Sequence, residues 1–332
     1  MTLAQVAKSP LSGLILVIAV LSAFLALAGG TVVDPVTGTT VNKFLNPGAL
    51  LQLLTDTSFF TVLAIGVGVV MLTGGIDLSI GSTYALSGVL TAMVLRNAQL
   101  GATSIPLALA LCLLIGLACG SLNGVMVAHL GVHPFVITLG TMWIFRGVAF
   151  VASKAESLLF PMQVTEAVKS SLGLRRDLHP IPVLVTIILL IGAAVFLAKT
   201  SPGRKIYSVG GNVEAANLAG IRVKRTWLLV YTLCGLCAGL AAFLGASYYG
   251  SASCSDGTGY ELYAIASAVV GGISLNGGRG VIAGAGLGAL LIMLFRQGVV
   301  TLSLDTKYEW IIIGVAIIIA VLLDKLSRKR QI

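Results

Sequence analysis

The sequence predicts an all-α polytopic membrane protein of about ten transmembrane helices, and three observations predict it. The 332 residues are 57% hydrophobic and only 10% charged, where soluble domains carry roughly 25% charged residues. Mean hydropathy is +1.01. The apolar runs are about 20 residues long, which suits a membrane-crossing helix and is twice what a barrel strand needs. In lipid, backbone polar groups must be satisfied within the spanning structure, so runs of this length read as helices.

Taken in order, the candidate spans are 11–30, 49–72, 80–96, 105–128, 135–153, 181–198, 227–248, 262–278, 281–301 and 309–324. The first follows Lys8 and contains "ALA" at 26–28, which resembles a signal-peptide cleavage site; its length favours a retained helix. Ten spans put both termini and segment 199–226 on one side. That side collects twelve basic residues and the acids Asp77, Glu214 and Asp324, net +9; the other carries seven basic and nine acidic residues, net −2. The cationic side is expected to be cytoplasmic. The whole-chain charge of +9 is therefore a topology signal, and no nucleic-acid partner is needed to explain it.

Between the second and third spans stands "GGIDLSIGS" (74–82). Slid by 197 positions it overlays "GGISLNGGR" (271–279), with identities at Gly74, Gly75, Ile76, Leu78 and Gly81. The shift covers six spans, an even number, so the copies are expected to run in the same direction. That is a parallel internal repeat, with halves at roughly 49–153 and 227–324 of a single permease domain, 1–332. Paired glycine-interrupted segments point to a transport pathway, because freed backbone groups must be buried or line a wet cavity. Gly74, Gly75, Asp77, Ser79, Gly81, Gly271, Gly272 and Asn276 are thus candidate pathway or gate residues. The plainer alternative stays open: Asp77 and Ser79 cap the third helix while Gly74 and Gly75 close the second.

Arg146 falls inside the fifth span, with a pathway role and a buried structural pair equally open. Arg296, Asp56 and Glu309 lie nearer span ends and read as interfacial. His129 and His133 are four apart, but Gly131 and Pro134 interrupt that helix, so no metal site is expected. Cys234 and Cys237 form a CxxC among small residues inside a span, which reads as packing. The external stretch 154–180 is expected to pack over the outer mouth.

The polar segment on the cationic side is "KTSPGRKIYSVGGNVEAANLAGIRVKRT" (199–226). "SPGR" marks the end of the sixth span, and "NVEAANLAG" reads as a short helix with Asn212 at its N-cap, Glu214 in its first turn and Gly220 at its end. Together with "GGIDLSIGS" and "HPFVITLGTMWIFRG" (133–147), the stretch "PGRKIYSVGGNVEAANLAGI" (202–221) resembles the permease subunits of bacterial sugar ABC importers. That is the ribose, xylose, galactose and autoinducer-2 group of the branched-chain amino acid/sugar permease superfamily. The resemblance runs from about residue 50 to 325. It implies import of a monosaccharide or a similar sugar derivative across the bacterial inner membrane by a permease dimer, homo- or heteromeric. Two cytoplasmic ATPase subunits and a secreted sugar-binding protein would complete the importer. It also implies that Gly203, Arg204, Gly210, Asn212, Glu214, Ala215, Ala216 and Gly220 form the element that rests on the ATPase.

No GxxxxGK[ST] occurs, nor a carboxylate pair, Ser/His/Asp set or metal cluster, so ATP hydrolysis is assigned to another polypeptide and this chain is expected to carry no cofactor. The rival readings are a proton-coupled secondary transporter working through Asp77, an amino-acid permease of similar architecture, and an intramembrane hydrolase, for which no nucleophile–base pair is found.

Overall fold

The computed structural model describes residues 10–33, 38–96, 101–173 and 179–308, with Ile311, Gly314, Val315 and Ile318 beyond them. Twelve α-helices follow one another among these: α1 (Pro10–Ala28), α2 (Pro47–Met71), α3 (Ile80–Leu95), α4 (Ser104–His129), α5 (Pro134–Ser153), α6 (Met162–Val168), α7 (Ile181–Lys199), α8 (Ser201–Gly211), α9 (Val213–Leu218), α10 (Val223–Tyr249), α11 (Tyr260–Val270) and α12 (Ile282–Thr301). Two short antiparallel pairs accompany them, β1 (Thr31–Val33) with β2 (Thr40–Asn42) and β3 (Leu158–Leu159) with β4 (Ser251–Ala252).

Among the described residues, seven helices are long and apolar enough to cross a membrane: α1, α2, α4, α5, α7, α10 and α12. Helices α3 and α11 are apolar but shorter, at 16 and 11 residues. The expected tenth span, 309–324, lies almost wholly outside the described residues.

The spanning helices divide into an inner and an outer set. The most apolar stretch of α2 is 83% buried and that of α10 is 67%, against 17% for α7 and 6% for α1. Outer helices turn Leu16, Val151 and Ile188 outward, as lipid-facing surfaces require. Lipid supplies no hydrophobic drive between helices, so their adhesion depends on close approach of small residues. The α4–α10 contact is built this way. A Cβ on Gly116 would fall 2.2 Å from the Gly235 carbonyl oxygen, one on Gly120 2.3 Å from that of Tyr231, and one on Gly239 2.2 Å from that of Cys112. The CxxC lies in the neighbouring α2–α10 contact, where Gly66 abuts Cys234 and Cys237; all five cysteines are buried free thiols.

Two expectations need correction. The eighth span, read as 262–278, ends at Val270, because the chain turns at Gly272 (φ +90°). The segment after Lys199 is not a single short helix behind a breaker. Residues 201–211 form α8, with Pro202 in its first turn and the Thr200 hydroxyl accepting from Gly203 N at 3.2 Å. Proline in the first helical turn starts a helix rather than breaking one.

Candidate functional site

Helix α2 closes with Gly74 in the left-handed region (φ +80°), Gly74 N donating to Met71 O at 2.8 Å and Gly75 N to Val70 O at 3.3 Å. Helix α11 closes in the same way: Gly272 N donates to Val269 O at 2.8 Å and Ile273 N to Ala268 O at 2.9 Å. These are paired Schellman closures, in which glycine avoids the steric penalty of positive φ. They stand one position out of step with the sequence overlay: the positive φ falls on the first glycine of one pair, Gly74, and on the second of the other, Gly272. Gly271 is a packing residue, with its Cα against the carbonyl of Gly284.

The two loops touch. Gly278 N donates to Leu72 O at 2.9 Å, and a Cβ on Gly277 would come 2.7 Å from Gly74 N. Both closures therefore lie at the same end of the molecule. The C-terminal end of α8 sits against them both. A Cβ on Gly210 would overlap the Leu72 carbonyl oxygen at 1.8 Å and Gly278 N at 2.5 Å, and one on Gly278 would meet Gly211 Cα at 2.7 Å. Tyr207, one turn earlier on α8, donates its hydroxyl to Gly280 O at 2.9 Å. A cleft of about 330 Å³ opens here, lined in part by Gly74, Gly75, Gly210, Asn212, Tyr231 and Asn276. Five of those six were candidates from sequence, drawn from two separate sets; Tyr231 was not.

Past Gly75 the chain runs without helical structure to Ser79, and α3 starts at Ile80. Asp77 lies in this stretch, 2% exposed. Its Oδ1 accepts from Ser79 N at 2.9 Å and from the Ser79 hydroxyl at 2.7 Å. Asn123 Nδ2, from α4, donates to Ser79 Oγ at 2.7 Å. The Cys234 thiol lies alongside. These partners are all neutral, and the N–H groups opening α3 favour a carboxylate placed here. Ile76 O accepts from Thr138 Oγ1 at 3.2 Å and from the Tyr231 hydroxyl at 3.3 Å. Thus Asp77 shapes the turn before α3, and Asn123, Thr138 and Tyr231 tie that turn to α4, α5 and α10. Asn123, an amide within an apolar run, was the available sequence signal for this cluster.

The remaining candidates lie elsewhere. Gly81 meets Gly257: a Cβ on it would fall 2.2 Å from the Gly257 carbonyl oxygen. Arg146 is tied by its guanidinium to the carbonyls of Cys254 and Asp256, the former at 2.6 Å. Gly203 turns the α7–α8 corner against the carbonyl of Leu197, and Arg204 Nη1 donates to Lys199 O at 3.4 Å. Asn212 caps α9 by accepting from Ala215 N at 2.9 Å, Ala216 is buried with Val209 and Val223, and Gly220 (φ +79°) ends the helix. Glu214 lines a larger cavity, about 750 Å³, beside His129 and Arg222. Leu218 of α9 is 90% exposed. His133 caps α5, accepting from Phe135 N at 3.3 Å. Of the stretch 154–180, expected to be external, residues 174–178 lie outside the described residues. The described part packs α6 on α10 and pairs β3 with β4.

Comparison with known proteins adds the following. A family model described as the permease component of the branched-chain amino acid transport system matches residues 49–321. The ribose import permease protein RbsC of Escherichia coli (strain K12) is 38% identical over 283 residues, which cover 85% of this chain and 87% of that protein. The D-allose transport system permease protein AlsC of the same strain is 36% identical over 288 residues, covering 86% of each. The fructose import permease protein FruG of Bifidobacterium longum (strain NCC 2705) is 32% identical over 290 residues, covering 85% of this chain and 84% of that protein.

Proposed function

Since this chain belongs to the branched-chain amino acid transport system permease family and is the membrane subunit of an ABC monosaccharide importer, we propose that it opens and closes its route by moving α8 against the paired glycine loops. The observation that carries this reading is the main-chain contact of Gly210 and Gly211 with Leu72 and Gly278. No side chain intervenes there, so displacement of α8 must displace both loops or break the contact.

In this mechanism the exposed helix α9, with Leu218 outermost, rests on a cytoplasmic ATPase subunit that supplies the force. Asn212 links α8 to α9, so motion at the docking helix reaches Gly210 within a few residues. The loops 72–79 and 271–281 form the inner gate and belong to two parallel repeats within ten helices. Asp77 holds the turn before α3 in shape and moves no proton. A secreted binding protein delivers the sugar on the outer side, a second permease subunit completes the route, and both termini are cytoplasmic in the bacterial inner membrane.

The test is Gly210→Val in the complete importer reconstituted into vesicles. The added side chain has no room, so the α8–loop contact opens. ATP hydrolysis is expected to persist while sugar uptake falls at least about tenfold, a cost of about 1.4 kcal/mol or more in the coupled step. Uptake at the unmodified rate in this variant sinks the mechanism.

A further inference from the structure

The segment joining α10 to α11 runs deep into the molecule without being helical. Its Cys254 packs with Leu86, Cys119, Phe145 and Ala149, and Cys119 lies near the midpoint of α4. Arg146, which binds the carbonyls of Cys254 and Asp256, is about 18 Å along α5 from Pro134 at 1.5 Å per residue. The segment is firmly held. Asp256 Oδ2 accepts from Ser253 N at 2.8 Å, and Gly257, at φ +68°, lies backbone to backbone against Gly81.

Despite this depth, part of the segment is uncovered. Ser255 and Thr258 are exposed. The Ser255 hydroxyl shares a 2.9 Å hydrogen bond with that of Ser253, and Thr258 Oγ1 donates to Ser255 O at 2.6 Å. Irregular backbone and hydroxyls at membrane depth are tolerated only against protein or water, not hydrocarbon. The charges here are half-buried and engaged: Arg146 on the carbonyls of Cys254 and Asp256 with Glu261 in its field, and Asp256 on the Ser253 N–H. The exposed groups, Ser255 and Thr258, are neutral and able both to donate and to accept. That surface suits an uncharged polyol better than a zwitterion, which would need charged partners.

We infer that residues 253–259 form the mid-membrane station of the sugar route, where Ser255 and Thr258 exchange hydrogen bonds with the hydroxyls of a monosaccharide. Arg146 is a positioning residue that keeps this segment in place. The inference rests on the importer reading above and adds to it the place where cargo is touched.

The experiment labels Ser255→Cys and Thr258→Cys in the complete importer in vesicles with a charged, membrane-impermeant methanethiosulfonate. Ile144→Cys, at a position 60% exposed near the midpoint of α5, is the lipid-facing reference. The five native thiols are buried, which keeps the background low. Because the reacting thiolate requires water, both new cysteines are expected to react at least about tenfold faster than Ile144→Cys, and their modification is expected to stop sugar uptake. Reaction no faster than the reference, or full modification with uptake intact, overturns the inference. Uptake of D-ribose, D-allose and D-fructose by the unmodified importer is measured in parallel. Its failure strikes the importer reading, while the labelling rates judge the segment separately.

Discussion

Asp77 and Arg146 are both charges inside an apolar chain, and they are accommodated in opposite ways. Asp77 is enclosed by neutral donors at the opening of a helix, while Arg146 bonds main-chain carbonyls of a distant segment. Their substitutions should behave differently. Asp77→Asn keeps an oxygen to accept from Ser79 N and is expected to retain uptake, whereas Asp77→Leu removes the acceptor and is expected to abolish it; an uptake assay with both variants checks this. A proton-carrying Asp77 would instead lose function as Asn. Arg146→Ala leaves two carbonyls without their donor and is expected to destabilise the protein by about 2–3 kcal/mol, seen as a lower denaturation midpoint in detergent. The sequence marked both residues as costly where they stand. It paired Asp77 with Ser79, its hydrogen-bonding neighbour, but did not reveal Asn123, 46 positions away, or the partners of Arg146, because backbone carbonyls leave no trace in a pattern of charges.

Among the elements, the α4–α10 seam and helix α8 show what hydropathy reads and what it omits. Helix α4 was legible to within a residue at each end, since its apolar run is unbroken. Its adhesion to α10 rests on Gly116, Gly120, Gly235 and Gly239, which a window average counts only as weakly apolar. Gly120→Leu is expected to push the helices apart and cost about 1–3 kcal/mol or more, measurable as loss of folded protein on denaturant titration. Helix α8 was missed because Pro202, Gly203, Gly210 and Gly211 look like interruptions. Pro202 in fact opens the helix, and Gly210 is small because two backbones pass beside it. The one-step offset between the helix closures and the loop overlay has a similar origin. Sequence identity could not say which glycine of each pair takes positive φ, whereas the closing hydrogen bonds do.

At the scale of the whole molecule, two exposed leucines offer a check on which end faces the ATPase. Leu218 on α9 and Leu159 on β3 are 90% and 80% exposed. Leu218→Cys is expected to be modified only from the cytosolic side and Leu159→Cys only from the outside, as side-specific labelling of right-side-out and inverted vesicles will register. The reverse pattern would invert the orientation drawn from the lysine and arginine distribution. That distribution was readable because it needs no knowledge of packing. The third span was equally readable, 80–96 against α3 at Ile80–Leu95, whereas the eighth, read to 278, ends at Val270, because hydropathy cannot separate the non-helical stretch that follows from a span. The contact at Gly210 has one more consequence. A joint made of main chain alone has nothing soft in it to absorb strain, and it stands apart from Ser255 and Thr258. Relatives could therefore change cargo by altering the hydroxyl-bearing segment while leaving the drive train untouched.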